Sequence, residues 1–129
     1  MIQFINSTAA RSANLPFSQA TRVGDVVYLS GAIGNAPGKM ELVLGGIETE
    51  GQQMMLNIAA VLKEAGLGFE NVFKAVVYLA DMGEWGAFNK VYVSHFQRGH
   101  FPARTAIAAH QLILGARVEM ECWADASGR

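Results

Sequence analysis

The sequence has little of what marks several large classes of protein. Cys122 is its one cysteine. A single thiol forms no internal disulfide, so a reducing, cytosolic setting is expected rather than a stapled secreted fold. Charge is scarce and balanced: ten Lys and Arg face eleven Asp and Glu, and no run of basic residues occurs. Duplex-binding proteins draw much of their affinity from phosphate neutralisation and show a basic stripe. Its absence argues against nucleic acid as the main partner, but leaves room for a small anion held by one Arg. No stretch approaches the roughly 20 apolar residues that span a bilayer. The opening MIQFINSTAARSANLPF is broken by polar residues every few positions and lacks the apolar core of a secretory signal. A soluble, cytoplasmic, uncleaved chain is expected.

What is present is core-forming material. Of the 129 residues, 51% are hydrophobic and 16% charged, too apolar for a disordered chain. At this length about two-thirds of the unfolded surface becomes buried. No linker, repeat or low-complexity stretch divides the sequence, so residues 1–129 are expected to form one domain. GNAPGK, Gly34 to Lys39, reads as a loop. Ala126 to Arg129 reads as a frayed tail.

Periodicity gives the elements. ATRV and VVYLS flank Gly24-Asp25 and predict a tight hairpin. Gly31 then breaks the strand, as a bulge or a point of close approach. Ile47, Met54, Met55, Ile58, Val61, Leu62 and Ala65 fall on one helical face. Gly66 and Gly68 follow, as expected after a helix C-terminus. VFKAVVYLA, Val72 to Ala80, predicts a buried strand. Asp81 and Glu84 have the spacing of a capping box, and Trp85, Phe88, Tyr92 and Phe96 predict a helix from about Glu84 to Phe96. Further strands are expected at Arg104 to Ala109 and Val118 to Ala124. In the last, Val118, Met120, Cys122 and Ala124 point one way and Glu119, Glu121 and Trp123 the other. Two helices cannot cover both faces of such a sheet. An α+β sandwich with both helices on one face is expected, with self-association hiding the other.

Several segments, taken together, resemble the reactive-imine deaminase (Rid) family. LPFSQA (Leu15 to Ala20) resembles that family's GPYSQA, and VYLSG its strand ending in Ser-Gly. The block from Gly45 to Met82, FNKVY, FPART and VEMECWA also resemble its signatures, in order and across nearly the whole chain. The resemblance implies a chorismate-mutase-like fold with a mixed sheet. It further implies a homotrimer whose sheets line a central barrel and whose sites lie between subunits. The implied activity is hydrolysis of 2-imino acids, or their enamine tautomers, to 2-keto acids and ammonia, with no cofactor and no metal.

The resemblance also carries roles for residues. Arg104 would clamp the substrate carboxylate, since its rigid fork of donors matches two carboxylate oxygens. A solvated strand Arg is the bland alternative. Glu121 would orient water and accept its proton, with Glu119 on the same face as its competitor. Ser30, Gly31 and Ala106 would contact substrate through backbone, because a main chain with little or no side chain permits close approach. Asn89 either lines the site or caps a neighbouring loop. Phe17 stands where the family commonly has Tyr; it keeps an aromatic wall and loses a hydroxyl. Ala106 replaces a common Cys, Ile113 a common Pro, and His110 a small residue. His95, His100 and His110 show no metal-ligand spacing with Cys122. Three rivals remain: a deaminase of larger acids of the aminomuconate type, a non-catalytic carboxylate-binding module, and an RNA-cleaving protein.

Overall fold

The computed structural model describes residues 1–129. Six strands form one sheet in the order β1-β2-β3-β6-β4-β5. They are β1 (Gln3–Ile5), β2 (Ala20–Val23), β3 (Val26–Leu29), β4 (Val72–Leu79), β5 (Ala103–Ala108) and β6 (Val118–Asp125). The helices are α1 (Thr8–Ala13), α2 (Gly46–Glu64) and α3 (Trp85–Val93). β6 lies at the centre and runs antiparallel to β3 and β4, whereas β5 pairs parallel to β4 across the α3 crossover. Gly24, at φ +60°, supplies the left-handed position of the β2–β3 turn.

The core forms where the apolar faces meet. Val27 and Leu29 of β3, Ala75, Val77 and Leu79 of β4, and Val118, Met120, Cys122 and Ala124 of β6 are buried against one side of α2 and α3. Met54, Met55, Ile58 and Leu62 of α2 fill the centre, with Phe88 and Tyr92 of α3 beside them. Both long helices therefore pack on one face of a mixed sheet, as the alternation in β6 predicts. The opposite face carries neither long helix. Tyr28 and Phe73 meet Trp123 there, at ring separations of 6.0 and 6.3 Å.

Four expectations need correction. β1 and α1 were not anticipated. β1 has three residues with only Ile5 buried, and α1 buries none, so neither leaves an apolar period in the sequence. Ser7 caps α1 by accepting from the Ala10 N–H. α3 ends at Val93 rather than Phe96, but Phe96 still stacks on Tyr92 at 4.8 Å from the following turn. Asp81 does cap, accepting from the Gly83 N–H over a short 3-10 turn. Glu84 does not complete the box and instead pairs with Arg117 at 2.8 Å. Ala126 is not frayed: it is fully buried and donates its N–H to the Asp25 carbonyl.

Glu50 is the one buried charged side chain. It accepts from the backbone N–H groups of Arg117 at 2.7 Å and Val118 at 3.4 Å, tying α2 to the start of β6. Gly34 packs so close to the Glu50 main chain that a Cβ would overlap it. Asn57, about two turns further along α2, donates to the Ile33 and Asn35 carbonyls and holds the same loop. Glu50→Ala leaves these two backbone donors, one buried and one half-buried, without an acceptor and is expected to lower stability by about 2–3 kcal/mol. Glu50→Gln keeps an acceptor oxygen and should lose less. Denaturant melts of both variants check this, and an Ala variant as stable as the parent would contradict the clamp.

Candidate active site

Arg104 sits on the last strand of the sheet. It pairs in register with buried Ala75, which places its side chain on the helix-bearing face. There α3 shapes it. Nη1 donates to Asn89 Oδ1 at 2.8 Å, and the guanidinium lies 4.7 Å from the Tyr92 ring centre and 5.6 Å from that of Trp85. Neither ion pair of the chain involves Arg104. A neutral amide and two aromatic faces thus fix the orientation of the cation without neutralising it. Tyr92 and Trp85 were read in the sequence only as part of an apolar stripe; their pairing with Arg104 depends on the β4–α3–β5 connection. The Tyr92 hydroxyl is buried without a partner. Burial drives its pKa up to about 12, against the lowering effect of Arg104.

Ala106 follows Arg104 on the same face, half-buried, in register with Val77. β5 has no neighbour beyond it, so the backbone polar groups on its outer edge have no strand partner.

Glu121 occupies the other face of the sheet. Its alternation partners Met120 and Cys122 point into the core. Tyr78 of β4 donates its hydroxyl to Glu121 Oε1. Tyr78, Glu119 and Glu121 line a cleft of about 350 Å³ with Gly31, Ala109, Gln111 and Leu112. The Glu119 carboxyl is held above its ordinary pKa, first by burial and then by the charge of Glu121. Gly31 is a point of close approach, as expected, but the approaching group is this chain's own: the Glu119 carboxylate fills the place a Cβ would take.

Phe17 and Ser30 fall in a third place. They line a neighbouring cleft of about 640 Å³ with Phe4, Arg11 and Tyr28. The Ser30 hydroxyl donates to the Ser18 carbonyl at 2.6 Å, and its N–H to the Gln19 carbonyl at 2.9 Å. Ser30 thereby anchors the segment that presents Phe17. Ser30 and Gly31 are consecutive, so the two clefts meet at the end of β3.

Within one chain, then, Arg104, Asn89 and Ala106 form one group. Glu121 and Gly31 form a second, and Phe17 and Ser30 a third. Tyr78 was missed by sequence reasoning, because its reach to Glu121 depends on β4 pairing with β6. No group of three His, Cys, Asp or Glu side chains is placed to hold a metal ion, and no helix is long and apolar enough to cross a membrane.

A single mixed sheet with both long helices on one face defines a class of small α+β proteins. The model of one such family, described as endoribonuclease L-PSP, matches residues 7–126. A mouse protein named 2-iminobutanoate/2-iminopropanoate deaminase is 43% identical over 117 residues, covering 91% of this chain and 86% of its own. The crystal structure of YyfA from Yersinia pestis, described as a Rid family protein, superposes with a TM-score of 0.90 at 32% identity, over 97% of this chain and 99% of that one. RidA from an Antarctic Psychrobacter gives 0.86 at 34%, over 95% and 98%. The chain belongs to the endoribonuclease L-PSP family, which is the Rid family, and it has that family's chorismate-mutase-like fold.

Proposed function

We propose that the protein is an enamine/imine deaminase that hydrolyses small 2-imino acids to 2-keto acids and ammonia. The observation that carries this reading is Arg104: a half-exposed guanidinium, oriented by Asn89 and Tyr92, with no acidic partner. Such a group is a receptor for a small carboxylate. The name of the mouse relative supports the choice of substrate, 2-iminobutanoate or 2-iminopropanoate.

In this reaction Arg104 holds the substrate carboxylate and the backbone around Gly31 and Ala106, with Asn89, orients the imine. Phe17 supplies an apolar wall. Glu121 directs a water at the imine carbon and takes its proton. A C–O bond forms, the nitrogen is protonated, the C–N bond breaks, and ammonia leaves a 2-keto acid. An imine is already electrophilic, so positioning suffices for much of the acceleration. The overall change is hydrolysis, with no net oxidation.

Arg104 and Glu121 point from opposite faces of one sheet, so a single chain does not bring them to one substrate. The reading therefore includes a homotrimer with sites between subunits, in which the open sheet faces line a central barrel and one subunit's Arg104 meets another's Glu121. A cytoplasmic location fits a free thiol and a substrate formed in metabolism. The family model's description as an endoribonuclease does not change this reading. Ten basic residues against eleven acidic ones, with no basic run in the sequence, give no footprint for a phosphate backbone.

The test is a coupled assay. A Thr or Ser dehydratase generates the imine beside excess semicarbazide, which traps it as the semicarbazone. The protein is expected to lower trapping in proportion to its concentration while total 2-keto acid is unchanged. Trapping that no concentration of protein alters would overturn the reading.

A further inference from the structure

The face of the sheet turned away from α2 and α3 holds two carboxylates and one phenol in a single cleft, and the reaction described above uses only one of them. In the β4–β6 ladder Val76 stands opposite Glu121 and Tyr78 opposite Glu119. The Tyr78 ring reaches diagonally, past its own partner, to place its hydroxyl on Glu121 Oε1. No other protein group donates to Glu121 and no cation pairs with it or with Glu119. Lys74, the basic side chain on the same face of β4, donates instead to Thr105 at 3.3 Å. β5 presents Thr105 and Ile107 to this face, and β3 presents Tyr28, which rests on Trp123.

We propose that Tyr78 is a positioning residue for the Glu121 carboxylate: it fixes one oxygen by a hydrogen bond and leaves the other facing the cleft to take water. The proposal rests on the deaminase reading and assigns a role to a residue outside it. A carboxylate on an open strand face otherwise samples several rotamers. A cation would also hold it, but would make it a poor proton acceptor. A neutral phenol holds it and costs less basicity. The hydrogen bond to Glu121 is also the main reason the Tyr78 hydroxyl is held above the ordinary tyrosine range.

Tyr78→Phe tests the role. A hydrogen bond to an ionised carboxylate favours the ionised form over the protonated one, and the Phe variant lacks the one that Tyr78 donates. The acid limb of the kcat profile is expected to move to higher pH, with kcat at neutral pH falling roughly three- to tenfold and KM nearly constant. A merely structural Tyr78 would change stability or kcat and leave the acid limb in place, and that result overturns the proposal. A second measurement needs no turnover. Tyrosinate absorbance, with Tyr78→Phe as the blank, follows Tyr78 directly; in Glu121→Gln it is expected to titrate at lower pH than in the parent. An unchanged titration overturns the pairing. If the parent shows no deaminase activity while this titration shifts, the functional reading fails and the pair stands.

Discussion

Arg104→Ala is expected to abolish most of the deaminase activity, with kcat/KM falling at least about a hundredfold. A hydrogen bond between charged partners contributes about 1.5–3 kcal/mol, and a forked guanidinium offers two to one carboxylate. Even the low end of that sum, about 3 kcal/mol, corresponds to roughly 150-fold, and partial exposure of the site trims it only modestly. Arg104→Lys should recover part of the loss, because charge remains, but not the paired geometry or the stacking on Tyr92. The fold should survive both changes. Arg104 is half-exposed and its one side-chain hydrogen bond is to Asn89, so melting temperatures close to the parent's are expected. Steady-state kinetics on dehydratase-generated imine give the measurement. Full activity in Arg104→Ala would remove the carboxylate clamp from the mechanism.

A second large effect should appear on mixing inactive chains. Arg104→Ala and Glu121→Gln are each expected to be nearly inactive alone. If every site takes its Arg from one subunit and its Glu from the next, hybrids contain some sites with both groups intact. In a trimer that carries both variants one site has both groups intact, about a third of the sites. Co-expression with two affinity tags, followed by isolation of oligomers that carry both, provides the sample. No recovery in such hybrids would mean that Arg104 and Glu121 do not serve the same site from different chains. The expectation comes straight from the register. Ala75 and Cys122 are ladder partners on the buried face, Arg104 shares that face beside Ala75, and Glu121 is turned away by one residue.

Much of this architecture is legible in the sequence where an element has one apolar side. α2 shows its buried face at Ile47, Met54, Ile58 and Leu62, and β6 alternates over its whole length. Even Glu50 left a signal: it falls on the α2 stripe between Ile47 and Met54, where a carboxylate must find donors. β1 and α1 left none, because elements that bury almost nothing carry no period. Pairing was beyond the sequence for another reason. Strand order is decided by long-range packing, and nothing local in VFKAVVYLA says that β6 lies on one side of it and β5 on the other. The split of the site follows from that order. Arg104, Glu121 and Asn89 are identified by resemblance to family motifs, whereas the Tyr78–Glu121 bond and the aromatic bed of Arg104 exist only once the strands are placed.

Cys122 lies at the middle of the central strand, fully enclosed. Burial, with some help from the charge of Glu121, pushes its thiol up to about 12. A thiol so protonated and so enclosed is inert to disulfide reagents while β6 keeps its neighbours. Modification therefore has to wait for the sheet to come apart at its centre. The protein thus carries a built-in clock: under conditions where opening limits labelling, the rate at which Cys122 reacts reports how often the whole domain opens.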